Sequence, residues 1–447
     1  MQTSLSVTNI LKKKVSELFS TENWLTTLKE KGLKDFEEIF YQRVLLLYDQ
    51  LCEWIITEWS KSKDFEKIQR NWAERNGLKK LVFRKSKVQL RTGTKIEYDS
   101  LYAKIVPEGY EGARHITHKL WHSEEGASPI YKSISCLLSV LCPSFEIAKV
   151  VLRHQGIQAN TDRIRKLSLS LSSNAMDNRV EVQLEKQETM EGKRVLISID
   201  GGRTRTKVYK EEKPSKREQK FDTPWREPKM FVITTIDEKG QVNKERMPIY
   251  DCSFGDAKTV DLLAQYLKRL KIVKAKNVQV IADGAPWIWK QVIPMLEKIG
   301  VKKDDIIEVL DYYHGMEHLT EMKVYFKKEE QDSYFEKLKE SLWRGDIKQM
   351  EELVKKGIKG VNLEEFTPFK YFKNNEQRID YQSLKKQGRP CGSGIIESGI
   401  RRIINLRFKS PSTFWFLENV EKLIFMRGIA LSGRWEIMMN NLTKIQT

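Results

Sequence analysis

The sequence predicts an α/β fold, in which helices flank a mixed sheet, with an all-α insertion and a mostly helical N-terminal region. Three apolar segments predict the sheet, residues 195–200, 278–283 and 306–311, and each of them ends in an aspartate. Strands that are apolar on both faces belong in the middle of a sheet that helices cover. Between the first two segments, the spacing of apolar residues over 261–272 predicts an amphipathic helix.

The N-terminal third has a different pattern. Apolar residues recur every three or four positions up to about residue 75, which predicts helices. Residues 80–108 contain short segments of β type around a Thr92-Gly93 turn. Two helical patterns follow at 144–152 and 162–170, joined by Gly156 and capped at residue 160 or 161. They fit a helix-turn-helix or, alternatively, a helical hairpin with a solvated basic face.

These changes of pattern predict five segments. Residues 1–78 form an N-terminal helical region, and residues 79–190 form a small β segment followed by the helix-turn-helix-like region. Residues 191–318 hold the first part of the sheet domain, and residues 389–447 hold its C-terminal part. Between them, residues 319–388 are rich in Lys and Glu with a helical period and form the predicted insertion.

The charge balance favours a polyanionic partner. Lys and Arg outnumber Asp and Glu by 79 to 61, which gives a net charge of +18. A membrane surface is also anionic, but the longest apolar run, 134–142, is too short to span a bilayer. Five cysteines without a Cys-x-x-Cys pair favour reduced, intracellular thiols. We therefore expect a soluble cytoplasmic protein that binds nucleic acid.

Aspartates at strand ends are the leading candidates for chemistry. Functional groups collect at the carboxyl ends of strands in open α/β sheets, and Asp200 and Asp283 are each followed by glycine. Carboxylates gathered there repel one another unless a cation such as Mg²⁺ lies between them. Two such ions can promote attack on a phosphodiester. A strand-terminal aspartate can also simply cap the next turn.

Four motifs in order resemble those of DDE-type transposases from bacterial insertion sequences, which have an RNase H-like core. The motifs are SIDGGR at 198–203, ADGAPWIW at 282–289, DYYHGMEH at 311–318 and GSGIIES at 392–398. A basic run and Trp415 follow the last motif. The resemblance covers about residues 190–435 and extends only loosely over the N-terminal third.

The resemblance implies a catalytic site with Asp200, Asp283 and Glu397 as ligands of two Mg²⁺ or Mn²⁺ ions. It implies that Asp311 and His314 support this site, although Asp311 also rivals Glu397 as the third ligand. The implied reaction cleaves transposon ends and joins the 3′ hydroxyl to target DNA. The implied partners are double-stranded DNA and further copies of the chain, as a homodimer or larger assembly at the bacterial nucleoid.

Basic residues near these motifs and in the second helical pattern are the predicted DNA contacts, because Lys and Arg bind phosphates. They are Arg203, Arg205, Lys207, Arg401, Arg402, Arg407, Lys409, Arg163, Arg165 and Lys166. A charge run can also be only a solvated face. His115, His118 and His122 share a helical spacing, but without a nearby cysteine we expect surface or phosphate contact rather than a metal site.

Other functions stay open on the sequence alone. Structure-specific nucleases share the implied fold, and a protein derived from a transposase can be a non-catalytic DNA-binding regulator. Residues 200–207 also resemble the first phosphate loop of actin- and sugar-kinase-type ATPases, but 283–286 lacks the threonine and second glycine that a second loop needs. Glu397 can instead form an ordinary helix ion pair with Arg401 at i+4.

Overall fold

A computed structural model describes residues 2–19, 24–108, 114–210, 220–409 and 414–445. The chain divides into two compact units, Met1–Leu171 with Ile445–Thr447, and Ser172–Lys444. This division falls inside the predicted segment 79–190. The five predicted segments stay predictions.

The first unit begins with helices and a β hairpin. Its first elements are α1 (Gln2–Phe19), α2 (Trp24–Ser60), α3 (Lys63–Arg75), β1 (Lys79–Gln89) and β2 (Lys95–Ile105). The two strands pair antiparallel, and α2 is broken at Gly32, where φ is 81°. The predicted change from helices to β structure is confirmed. Before the Thr92-Gly93 turn, one continuous strand of eleven residues, β1, stands in place of short segments.

Four helices follow, of which the last continues beyond Leu171 into the second unit: α4 (Ile116–Leu120), α5 (Pro129–Leu141), α6 (Phe145–His154) and α7 (Thr161–Asp177). Gly156 turns the chain between α6 and α7 with φ at 73°. Asn160 Oδ1 then accepts the amide hydrogens of Asp162 and Arg163, which caps α7. Apolar side chains of α5, α6 and α7 share one core. The predicted helix pair is present, and its DNA-reading role stays a prediction.

The second unit contains a mixed sheet. Its strands are β3 (Arg194–Gly201), β4 (Thr204–Arg205), β5 (Val208–Tyr209), β6 (Phe221–Asp222), β7 (Trp225–Arg226), β8 (Pro228–Ile236), β9 (Ile249–Phe254), β10 (Asn277–Ala282) and β11 (Ile306–Leu310). Five of them form one sheet in the order β11-β10-β3-β8-β9. The first three in this order are parallel, and β8 and β9 are antiparallel to their neighbours. The predicted α/β class with a mixed sheet is confirmed.

Helices surround this sheet. They are α8 (Arg179–Gln183), α9 (Asp256–Arg269), α10 (Ile293–Lys298), α11 (Tyr312–Lys323), α12 (Gln331–Arg344), α13 (Ile347–Gly357), α14 (Thr367–Lys373), α15 (Tyr381–Lys386), α16 (Gly394–Gly399), α17 (Leu406–Phe408), α18 (Leu417–Leu431) and α19 (Trp435–Ile445). Single π turns precede α10 and α17, at Ile288–Val292 and Ile400–Asn405. Short 3-10 turns cover Ile272–Lys274, Lys303–Asp305 and Glu376–Arg378.

Side chains that alternate along the central strands form two cores. Ile197 and Val280 face one side, where they pack in a cluster with Tyr266 of α9. Leu196 and Ile281 belong to a second cluster that α11 to α15 complete. Helices from Tyr312 to Lys386 therefore cover one face of the sheet, and the first of them begins earlier than the predicted insertion at 319.

A buried ion pair between Glu188 and Arg434 joins the chain before β3 to the start of α19 in the second unit. Arg434 is 1% exposed and Glu188 is 7% exposed, and the guanidinium binds both carboxylate oxygens at 2.8 and 2.9 Å. Burial alone would raise the pKa of Glu188, but the hydrogen bonds and charge of Arg434 outweigh it and hold the pKa below its ordinary value.

We predict that Glu188→Gln lowers the free energy of unfolding by about 3–5 kcal/mol at neutral pH, because it leaves a buried guanidinium without its partner. Since the folded pKa of Glu188 is depressed, its stabilisation is present above the ordinary pKa and is lost as pH falls through the folded pKa. Urea unfolding across the acid range should show the gap between variant and wild type closing. Glu351→Gln, which removes the exposed pair with Lys355, is the control and should leave the midpoint unchanged.

Candidate active site

Three aspartates lie at one edge of the sheet. Asp200 ends β3, Asp283 follows β10 and Asp311 follows β11. Because these strands are parallel neighbours, with Ala282 opposite both Ile199 and Leu310, their carboxyl ends lie side by side. The structure thus brings together the three strand-end aspartates, as the strand pattern predicts.

Asp200 and Asp283 each keep one carboxylate oxygen without a hydrogen bond in the described part of the chain. Asp200 Oδ1 accepts the Gly201 amide at 2.6 Å, and Asp283 Oδ1 accepts the Ala285 amide at 3.1 Å. Burial raises the pKa of Asp200 to about 6, against the Gly201 hydrogen bond, and the negative charges of Asp283 and Asp311 add to the rise. These two carboxylates are open to a cation.

Asp311 is in the opposite situation. Its buried carboxylate accepts four hydrogen bonds, from the amides of Tyr313 and Ser393 at 3.2 and 3.0 Å, Ser393 Oγ at 2.7 Å and His314 Nδ1 at 2.6 Å. Burial alone would raise the pKa of Asp311, but these donors hold it below its ordinary value. Because two donors reach each oxygen, the Asp311 carboxylate has no lone pair left for a metal.

His314 is oriented by this carboxylate. Its Nδ1 bonds to Asp311, so the tautomer and the direction of Nε2 are fixed by the pair. The Asp311 hydrogen bond, opposed by burial and reinforced by the charges of Asp311, Asp200 and Asp283, raises the pKa of His314 to about 9. The imidazole is therefore positively charged at neutral pH and partly balances the aspartates.

The segment 387–393 returns the chain to the carboxyl ends of β3, β10 and β11, where Asp200, Asp283 and Asp311 lie. We call this the acidic edge. The Arg194 guanidinium, at the start of β3, donates to the carbonyls of Gln387 and Gly388. Farther along, Gln279 Nε2 donates to the Pro390 carbonyl at 2.7 Å, and the Tyr312 amide donates to the Cys391 carbonyl. The segment thus crosses from the start of the strands to their carboxyl ends.

Glu397 lies on α16, directly after this segment. The helix packs against β3 and β8, which places a Glu397 carboxylate oxygen within 4.8 Å of ligand atoms of Asp311 and His314. Glu397 is exposed, and no ion pair joins it to Arg401 in the described ranges, so the expected alternative of a helix salt bridge is not seen. Asp200, Asp283 and Glu397 do not form a group within 4.8 Å among the described residues, and the three-acid metal set stays a prediction.

Most predicted DNA contacts of the second unit have accessible side chains. The exposed ones are Arg203, Arg205, Arg401, Arg402 and Lys409, and Lys207 is half-buried. Arg407 requires a correction. It is 2% exposed, and its guanidinium lies 5.4 Å from the centre of the Trp415 ring, so its position does not fit the predicted phosphate contact.

In the first unit, Arg163 is engaged within the fold. Its guanidinium donates to Gln89 Oε1 and to the Glu125 carbonyl, which ties α7 to the hairpin. Arg165 and Lys166 are exposed, and their DNA-binding role stays a prediction. Both ring nitrogens of His118 are hydrogen-bonded, to Ser86 and Ser123, so neither is available to a metal in this arrangement.

Tyr371, on α14, lies at the acidic edge although no sequence motif points to it. Its ring lies over the backbone after Asp283, since a Cβ added to Gly284 would be 2.3 Å from Tyr371 Cε2. The His318 ring is 3.8 Å away between centres. The Tyr371 hydroxyl is buried beside the Gly284 backbone, and burial raises its pKa above the ordinary value. No local motif marks it, because nearly ninety positions separate it from Gly284.

Comparison with known proteins gives little for this chain. No family model matches it, and no curated protein matches it. Among solved structures, the Drosophila P element transposase strand transfer complex is similar over 71% of this chain and 81% of that chain, with a TM-score of 0.28 and 11% identity. A likeness this weak carries no argument about function.

Among the described helices, none has the length and apolar composition that a membrane-spanning helix needs.

The Asp311–His314 pair can be tested by NMR. In the metal-free protein we predict that the His314 ring titrates with a midpoint of about 9, and that Asp311→Asn moves it back towards 6.5 because the accepting charge is removed. His118, whose pKa burial lowers below 6.5, is the internal control and should not move. An unchanged His314 midpoint in Asp311→Asn would show that the pair does not exist in solution.

Proposed function

We propose that this chain is a metal-dependent DNA phosphoryl transferase of the transposase type with an RNase H-like core. The observation that carries the proposal is the convergence of acids from separate segments: Asp200, Asp283 and Asp311 at neighbouring strand ends, with Glu397 brought to the same edge by α16. This acidic edge belongs to a chain with a net charge of +18. An acidic site in a basic protein suits a phosphodiester substrate held by cations.

The strand positions agree with this assignment. Counted along the chain, the sheet strands are β3, β8, β9, β10 and β11, so Asp200 belongs to the first strand, Asp283 follows the fourth and Asp311 the fifth. The motif resemblance implies these same positions for the two aspartate ligands and for the supporting acid-x-x-His pair.

The donor set fits Mg²⁺ or Mn²⁺, since carboxylate oxygens are the ligands that these hard cations prefer. Asp200 and Asp283 have open oxygens, whereas Asp311 has none. We assign Asp200, Asp283 and Glu397 as the residues that hold two ions. When bound, the ions polarise the phosphodiester and stabilise the attacking and departing oxygens.

The remaining side chains bind and orient the substrate. Asp311 holds the His314 ring, whose second N–H can hydrogen-bond a phosphate oxygen as a charged donor. Arg203 follows Asp200, Arg401 follows Glu397, and both side chains are exposed. In this proposal they contact phosphates on either side of the scissile bond. In the transposase reaction, water attacks first at the transposon end, and the freed 3′ hydroxyl then attacks target DNA.

The local structure does not favour the ATPase alternative. The hydroxyls of Thr204 and Thr206, which a phosphate loop would turn towards the nucleotide, are buried. Thr204 Oγ1 donates to the Phe408 carbonyl and Thr206 Oγ1 to the Pro224 carbonyl. Both hydroxyls are therefore used inside the fold, Thr204 at the end of α17 and Thr206 at the chain before β7.

We predict that Asp200→Asn, Asp283→Asn and Glu397→Gln each reduce cleavage of labelled DNA from the ends of the element by at least about 100-fold in Mg²⁺ or Mn²⁺, because even outer-shell partners of a metal site cost 10- to 100-fold. The control is Asp304→Asn, the same substitution at the other end of β11, which should keep full activity. Wild-type cleavage by either aspartate variant contradicts the site. Activity in Glu397→Gln with loss in Asp311→Asn reassigns the third ligand.

The products separate the related functions. Cleavage followed by joining of the 3′ end to a target plasmid supports the transposase. Cleavage without joining supports a structure-specific nuclease, and DNA binding without cleavage supports a regulator. Turnover of ATP in the absence of DNA contradicts the proposal and supports the kinase-like alternative.

A further inference from the structure

A pair of short antiparallel ribbons follows the first acid-bearing strand. β4 pairs with β7, and β5 pairs with β6. Together with the nearby chain before α18, the ribbons carry aromatic rings interleaved with cations. We call this the basic-aromatic surface, formed by Arg205, Lys207, Tyr209, Phe221, Trp225 and Phe416.

The basic-aromatic surface is anchored to both acid-bearing segments. The backbone at Gly202, two residues after Asp200, packs against Ile404, since an added Cβ would be 2.5 Å from Ile404 Cδ1. The Lys207 amide donates to the Trp415 carbonyl at 2.8 Å, and the Trp415 amide donates back to the Arg205 carbonyl at 3.3 Å. The ribbon is therefore fixed between the strand of Asp200 and the chain that follows Glu397.

The aromatic rings are exposed and have cations at their faces. The Trp225 side chain is 48% exposed, and the Arg205 guanidinium lies 4.8 Å from its centre. Lys207 Nζ lies 4.5 Å from the Tyr209 ring and 4.1 Å from the Phe221 ring. Phe416 extends the surface, with its ring centre 5.8 Å from that of Tyr209.

Exposed aromatic rings with cations beside them suit an unpaired nucleic-acid strand. Exposed aromatic faces can stack with bases, and cations beside them can bind the phosphates that link those bases. A duplex offers phosphates, but the faces of its bases are covered by their neighbours. An apolar protein partner would gain from the rings but not from the cations between them.

We propose that the basic-aromatic surface binds an unpaired DNA strand by base stacking, next to the acidic edge. The inference rests on the proposed function for the identity of the nucleic acid as DNA, and it adds that the strand presented to the acids is single-stranded there. Trp225 contacts the substrate through its ring, and Arg205 and Lys207 contact it through phosphates.

The experiment measures binding by fluorescence anisotropy with the full chain in EDTA, so that cleavage plays no part. The probes are a labelled single-stranded oligothymidylate, an abasic strand of the same length and a duplex. We expect the wild type to bind the oligothymidylate more tightly than the other probes. Trp225→Ala should lower the affinity for the oligothymidylate about tenfold, and Trp225→Phe should retain most of it because a ring remains. Binding of the abasic strand should be weak and equal in all three proteins.

The matched control is Tyr325→Ala, which removes an exposed aromatic ring of the same unit away from the acids and should bind like wild type. The inference is overturned if Trp225→Ala binds oligothymidylate normally, or loses the abasic strand and the duplex to the same extent. It is also overturned if Trp225→Ala changes the mass of the protein in light scattering, which would make the surface a contact between copies. Because the binding assay measures no catalysis, its result can be interpreted even if the cleavage test fails.

Discussion

The buried carboxylate of Asp311 holds the acidic edge together. A carboxylate without solvent is costly unless hydrogen bonds replace its hydration, and here the Tyr313 amide, the His314 ring and the Ser393 amide and hydroxyl supply four. Two of these donors come from a residue 82 positions away. One charge therefore fixes the end of β11, the start of α11 and the segment that leads to Glu397, and the position of each depends on the other two.

Hydrogen bonding also distinguishes the three aspartates, which look alike in sequence. Asp311 accepts four hydrogen bonds, one of them from the His314 ring, whereas Asp200 and Asp283 use one oxygen for a local turn and leave the other open. Burial and like charge raise the pKa of Asp200 to about 6, so a cation beside it would stabilise its charged form. The resemblance to transposase motifs implies a supporting role for Asp311 and His314, and a carboxylate that already accepts four hydrogen bonds is consistent with that proposal.

The sequence predicts those parts of the fold whose signal is local. The strands that end at Asp200, Asp283 and Asp311 are apolar on both faces and stand out. β9 does not, because Asp251 and Ser253 leave no more than two adjacent aliphatic or aromatic residues in it, and only the folded chain shows that Arg179 and Tyr266 bond to this buried acid. Arg407 belongs to a basic run in sequence, but the fold turns it onto Trp415. The pairing of Arg179 with Asp251 joins residues 72 positions apart, and neither pairing follows from composition or period.

The helical insertion is the clearest case of this long-range dependence. Its chain leaves the sheet at Asp311 and returns through Ser393, so its two ends meet in one set of hydrogen bonds. Between them, the insertion builds the core on one face of the sheet and places Tyr371 against the backbone that follows Asp283. An element that shares a core and an edge with the strands unfolds with them rather than alone. The long gap between Asp283 and Glu397 is therefore a structural part of the acidic edge, because the hydrogen bonds between Asp311 and Ser393 position the segment that leads to Glu397.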